Sequence, residues 1–154
     1  MPPIWIIRFR PGTFFLGFLI MQDFGKLILR LTVGGLMLFH GYAKIQDGGL
    51  NGITKMVTDQ GWPEQIAYGV FIGEILAPLL LIIGWQTRFA AFIMVVNMGL
   101  AVFLAHIDDL TTITDRGTYR LEVQAFYFFC SLAIMCLGSG AFGLDGRDRE
   151  RDLV

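Results

Sequence analysis

Four long apolar runs, each closed by a short polar stretch, dominate the chain after Met21. The first extends from Lys26 to Ile45, the second from Gln65 to Trp85, the third from Arg88 to His106, and the fourth from Tyr119 to Leu137. A helix crosses the hydrocarbon core of a bilayer in about 20 residues, so each run is predicted to be a transmembrane helix. Only Gln86 and Thr87 lie between the second and third runs, which predicts a tight antiparallel hairpin. The link from Gln46 to Glu64 carries "DGG", "NG" and "GWP" and reads as a series of turns. The third link, "DDLTTITDRG", is polar and acidic, and the end of the chain, "DGRDRERDLV", reads as a charged, disordered tail. The expected fold is all-α, a four-transmembrane-helix bundle over residues 24–144 followed by a tail over 145–154.

Residues 1–23 form an N-terminal extension of a different kind. "WIIRFRPGTFFLGFLI" is apolar but is broken by Arg8, Arg10 and Pro11, and the stretch after Pro11 is too short to span alone. Aromatic and basic residues together suit a short interfacial segment at the lipid headgroups. The segment lacks a small-residue cleavage site, which argues against a signal peptide. The alternative is a mis-annotated start, with translation beginning at Met21.

Composition agrees with a bilayer as the solvent. The chain of 154 residues is 55% hydrophobic and only 16% charged, with a mean hydropathy of +0.61, outside the range of ordinary soluble domains. A net charge of −1 offers nothing to a nucleic acid. Cys130 and Cys136 stand six apart in one helical run, about 9 Å along its axis and on different faces, so they are not expected to bridge. There is no CxxC pair to make a thioredoxin-like couple or a zinc site. Lysine and arginine fix the orientation, because cytoplasmic ends are enriched in them. Arg8, Arg10, Lys26, Arg30, Arg88, Arg147, Arg149 and Arg151 fall on the side of the termini, against Lys44, Lys55, Arg116 and Arg120 opposite. Both termini are therefore expected in the cytoplasm.

Depth then sorts the polar residues. His40 and Lys44 are one turn apart near the outer end of the first span and share a face. His106 closes the third span, and Glu122 and Gln124 begin the fourth, so these residues form an outer polar layer rimmed by Asp108 and Asp109. Glu74 is deeper, about 13–14 Å into the second span, where an ionised carboxylate is costly unless paired, hydrated or protonated. Gly73 and Pro78 beside it permit close helix approach or free a carbonyl. Arg30, about 6 Å from the inner end of the first span, could reach toward Glu74 or snorkel to the headgroups. Each residue has a structural reading as well: Lys44 as an interfacial snorkel, His40 as an interhelical hydrogen bond, Asn97 as packing between helices. His40, His106, Glu122 and an aspartate lack the spacing of a ligand pair, so no metal site is assigned.

The stretches "LILRLTVGGLMLFHGYAKI", "GVFIGEILAPLLLIIGWQTRFAAFIM" and "RLEVQAFYFFCSLAIMCLGSGAFGLD" together resemble the DoxX family of four-helix membrane proteins from about Phe24 to Leu144. The matching pieces are Arg30, His40-Gly41 with Lys44, Glu74, the turn from Gly84 to Arg88, and the glycine-rich exit ending in "LD". The resemblance implies an inner-membrane protein of bacteria whose intramembrane polar set includes Arg30, His40, Lys44 and Glu74. It also implies association with membrane redox assemblies, the family taking its name from a subunit of a thiosulfate:quinone oxidoreductase. The first expectation is thus an oxidoreductase subunit with a quinone site, in contact with lipid and with a soluble or membrane redox partner protein, and able to form a homo-oligomer. In that reading His40 donates to a quinone oxygen, Lys44 stabilises charge on it, and Glu74 relays a proton. Two alternatives stand beside it: a non-catalytic membrane anchor docking a soluble enzyme through Asp145–Asp152, and transport of a small solute or protons.

Overall fold

No proline interrupts the chain between Pro11 and Pro63, and leucine, methionine, lysine and glutamine recur through its first part often enough to carry the helix past its glycines, the Gly34-Gly35 pair included. One continuous helix results, α1 (Pro11–Gln46). The computed structural model describes residues 11–46, 48–115 and 117–146, with side chains from residue 17 onward. Residues 11–23 are continuous with the first apolar run, as the opening turns of α1. At about 1.5 Å per residue α1 is some 54 Å long, more than a bilayer needs. Arg8, Arg10, Arg116 and the tail beyond Gly146 lie outside the described residues.

Gly48, at φ 63, ends the run of α1 and turns the chain into α2 (Gly49–Asp59). This helix lies where the sequence reads as turns. Its glycines are offset by apolar residues at helical spacing, with Leu50 and Ile53 half-buried and Val57 buried. Gly61 and Pro63 close it, and Trp62 stacks on Phe103 with ring centroids 6.4 Å apart.

The next helix, α3 (Glu64–Ile83), changes pitch along its length. It opens as a 3-10 turn over Glu64–Tyr68, becomes α-helical at Gly69–Phe71, widens to a π turn over Ile72–Leu76, and resumes as α-helix at Ala77–Ile83. Pro78 contributes to this geometry, since it has no N–H to give the Glu74 carbonyl four residues before it. Gly84, at φ 77, then reverses the chain into α4 (Thr87–Ala105) through the predicted tight hairpin. A short acidic loop leads to α5 (Glu122–Leu137). Of these, α3 and α4 are long and apolar enough to cross a bilayer; α5 is apolar but shorter.

Small and medium residues fill the centre of the bundle. Val33, Met37, Ala77, Leu81, Ala90, Ala91, Met94 and Ile134 are buried together. Large ones face outward: Phe24, Leu31, Phe39, Leu79, Phe92, Phe126 and Phe129 are all exposed. Such a surface is stable against lipid, and the small interior residues are what close helix packing in lipid requires.

The end of the described chain folds back onto the hairpin. The Asp145 carboxylate accepts hydrogen bonds from the backbone N–H groups of Gln86 and Thr87, both at 2.8 Å, and the Asp145 N–H donates to the Gly84 carbonyl at 3.0 Å. Asp145 therefore caps the N-terminus of α4 from 58 residues away. It belongs to the bundle and not to the tail in which the sequence places it. Asp145→Ala is expected to cost about 1–2 kcal/mol, the usual worth of a charged N-cap. Thermal unfolding in mild detergent should fall by several degrees, and by less in Asp145→Asn, whose amide oxygen still accepts one bond.

Candidate functional site

Two glycines set the site by bringing backbones together. A methyl group on Gly41 of α1 would lie 2.7 Å from the Glu74 carbonyl oxygen, and one on Gly73 of α3 would lie 2.4 Å from Cγ of Asn97 on α4. The π turn of α3 is thus pressed between α1 and α4 at the level of Glu74. The Glu74 side chain is 2% exposed, and its Oε1 accepts from the Lys44 ammonium and, at 3.5 Å, from the Asn97 amide. Its Oε2 is buried with no partner among the described residues.

The ion pair differs from the one the sequence suggested. Arg30 does not meet Glu74, and it does not reach the headgroups. It is fully buried, donates from Nη1 to the Leu81 carbonyl at 3.2 Å, and packs against Gly84. Lys44 is the partner of Glu74 instead of an interfacial snorkel. Side chains on a helix lean toward its N-terminus, so a long lysine at position 44 reaches back to the level of Gly41, where Glu74 lies.

Beside the pair opens a cavity of about 470 Å³ whose walls include Met37, Val57, Trp62, Val70, Ile93 and Leu104. Its polar lining gathers His40, Lys44, Glu74, Asn97, His106, Gln124 and Tyr127. Four of the six candidate residues therefore come together. Arg30 is held at the Gly84 turn, and Glu122 is exposed in the first turn of α5, outside the lining. Tyr127 was not singled out from sequence. Its only signal was a phenol hydroxyl within an apolar run, which membrane interfaces carry commonly.

Hydrogen bonding fixes what each histidine offers. His40 Nδ1 lies 3.1 Å from the Leu36 carbonyl, and its ring meets Tyr127 edge-on with centroids 5.3 Å apart. A carbonyl only accepts, so Nδ1 carries a proton and Nε2 is the ring nitrogen left to face a ligand, an acceptor when the ring is uncharged. His106 Nδ1 is 3.2 Å from Asp109 Oδ2, and the other oxygen of Asp109 takes Arg120 at 3.1 Å. His106 is thereby anchored in the loop at the mouth of the cavity. The arrangement is an apolar chamber with a compensated charge pair at one wall, suited to an uncharged amphipathic molecule.

No solved structure matches the chain. A protein of Haemophilus influenzae (strain ATCC 51907 / DSM 11121 / KW20 / Rd), named only as uncharacterized, is 31% identical over 119 residues, 77% of this chain and 87% of that one. A second uncharacterized protein of the same strain is 30% identical over 138 residues, 81% of this chain and 86% of that one. The DoxX family matches residues 25–107, which carry α1 from its fifth turn onward, α2, α3 and α4 with the cavity wall they build. With its outward apolar faces and its glycine-set helix contacts, the chain is a membrane protein and belongs to the DoxX family.

Proposed function

We propose that the protein is a four-span subunit of a membrane redox assembly in the bacterial inner membrane, both termini cytoplasmic, and that its cavity holds a quinone-type ring. The observation that carries this is the Lys44–Glu74 pair, a buried carboxylate met by a half-buried ammonium in the wall of an otherwise mostly apolar cavity of about 470 Å³. Small-molecule sites run from about 300 to 1,000 Å³ and combine apolar walls with a few convergent polar groups. A membrane-soluble aromatic ring with polar oxygens answers that description. Lys44 can hold negative charge developing on a ring oxygen, and His40 and Glu74 can take up protons there.

The anchor reading loses part of its docking surface, because Asp145 is spent on capping α4. Transport has no specific observation in its favour.

The test is binding of a short-tailed benzoquinone and its reduced form to the purified protein in mild detergent. Lys44→Ala should weaken binding of both forms, and His40→Ala and Glu74→Gln binding of the reduced form, each by about tenfold or more, the worth of one good polar contact. Folded, membrane-inserted variants that bind as the parent does would end this reading.

A further inference from the structure

Two acceptors in this cavity lack a donor. Glu74 Oε2 is buried without a partner among the described residues, while Oε1 takes Lys44 and Asn97. His40 Nε2 is left as a lone-pair acceptor by the commitment of Nδ1 to Leu36. The two residues stand at one level, since His40 adjoins Gly41, whose Cα faces the Glu74 carbonyl. Both line the same cavity. Lys44 and Tyr127 also line it, and either can give a hydrogen bond to a ligand oxygen.

A quinone carries only acceptors. It would satisfy Lys44 and Tyr127 but would leave both the buried Glu74 Oε2 and the Nε2 of the exposed His40 without a donor, and the unmet buried carboxylate oxygen is penalised. The hydroxyls of an aromatic diol both donate and accept, so they can meet all four groups. A cationic donor is disfavoured, because Lys44 already neutralises Glu74 and a further positive charge would enter an apolar chamber unpaired. Resting on the quinone-type reading above, we infer that this site selects the reduced, hydroxyl-bearing form of its ligand, an uncharged aromatic diol.

Calorimetric titration of the purified protein in mild detergent tests this, anaerobically and at about pH 8, where free imidazole is uncharged. The probes are a decyl-tailed benzoquinone, its borohydride-reduced hydroquinone, and the dimethyl ether of that hydroquinone, which keeps the ring but has no O–H. The hydroquinone should bind at least about tenfold more tightly than either of the others. His40→Phe keeps a ring against Tyr127 while removing the acceptor, and should reduce the preference severalfold. Glu74→Gln puts an N–H donor in place of the second oxygen and should shift the preference toward the quinone. Equal binding of hydroquinone and quinone, or a preference untouched in both variants, overturns the inference and leaves the quinone-type site standing. Failure of all three probes to bind removes both.

Discussion

Lys44→Met alone should lower the stability of the protein by about 3–5 kcal/mol, and the double variant Lys44→Met/Glu74→Leu should regain most of that loss. Removing the lysine leaves Glu74, 2% exposed, with only the long Asn97 contact to compensate it. Breaking a buried pair from one side costs that much, whereas exchanging both members for apolar residues of similar volume is often neutral. The cycle is read as unfolding midpoints in detergent, where the single variant should drop by on the order of ten degrees. Additive losses in the double variant would mean that the two groups do not compensate each other. The same double variant separates the fold from the chemistry. If the pair serves a ligand, the restored protein should still fail to bind the hydroquinone or the quinone, because its cavity wall has become apolar. Undiminished binding in a stable double variant would make the pair a device of helix association only.

Sequence made the expense of Glu74 legible, since an acid far inside an apolar run must find a partner. It did not identify the partner. Counting residues from the ends of two runs treats helices as rigid rods and side chains as points. Here α3 starts with a 3-10 turn and carries a π turn, and Lys44 leans back along α1. Arg30 and Lys44 are about 21 Å apart along α1 with the level of Glu74 between them, so the backward lean of a long lysine by roughly one turn decides which of the two the carboxylate meets. The missing α2 has another cause. "DGG", "NG" and "GWP" signal turns, but Leu50, Ile53 and Val57 among them already had helical spacing. Asp145 was illegible for a third reason: a cap supplied from 58 residues away leaves no local pattern. The hairpin at 84–87 was the easiest feature to read, because two residues between long apolar runs allow little else.

That hairpin is where one methyl group should do most harm. In Gly84→Ala the new carbon would lie 2.0 Å from Arg30 Nη1 and 2.6 Å from the Gly143 Cα, at a residue whose φ is 77. The left-handed backbone alone costs about 1–2 kcal/mol for alanine. Arg30 cannot step aside cheaply, since it is fully buried and Nη1 holds the Leu81 carbonyl. Gly143 is backbone, so relief there would pull away the segment that brings Asp145 to α4 and expose the N–H groups of Gln86 and Thr87. The loss should exceed that of Asp145→Ala and leave little folded protein at about 37 °C, seen as a fall in the monodisperse fraction on size exclusion. Gly99→Ala is the matched control, as a methyl there meets nothing within 4 Å and replaces glycine in a helix interior. It should be neutral or slightly stabilising. Arg30→Met with and without Gly84→Ala then apportions the clash. A double variant worse than Arg30→Met by no more than the roughly 1–2 kcal/mol of the left-handed backbone would place the clash on the guanidinium. A further collapse would place it on Gly143, and would mean that the contact between hairpin and C-terminal segment, more than the buried arginine, holds this end of the bundle closed.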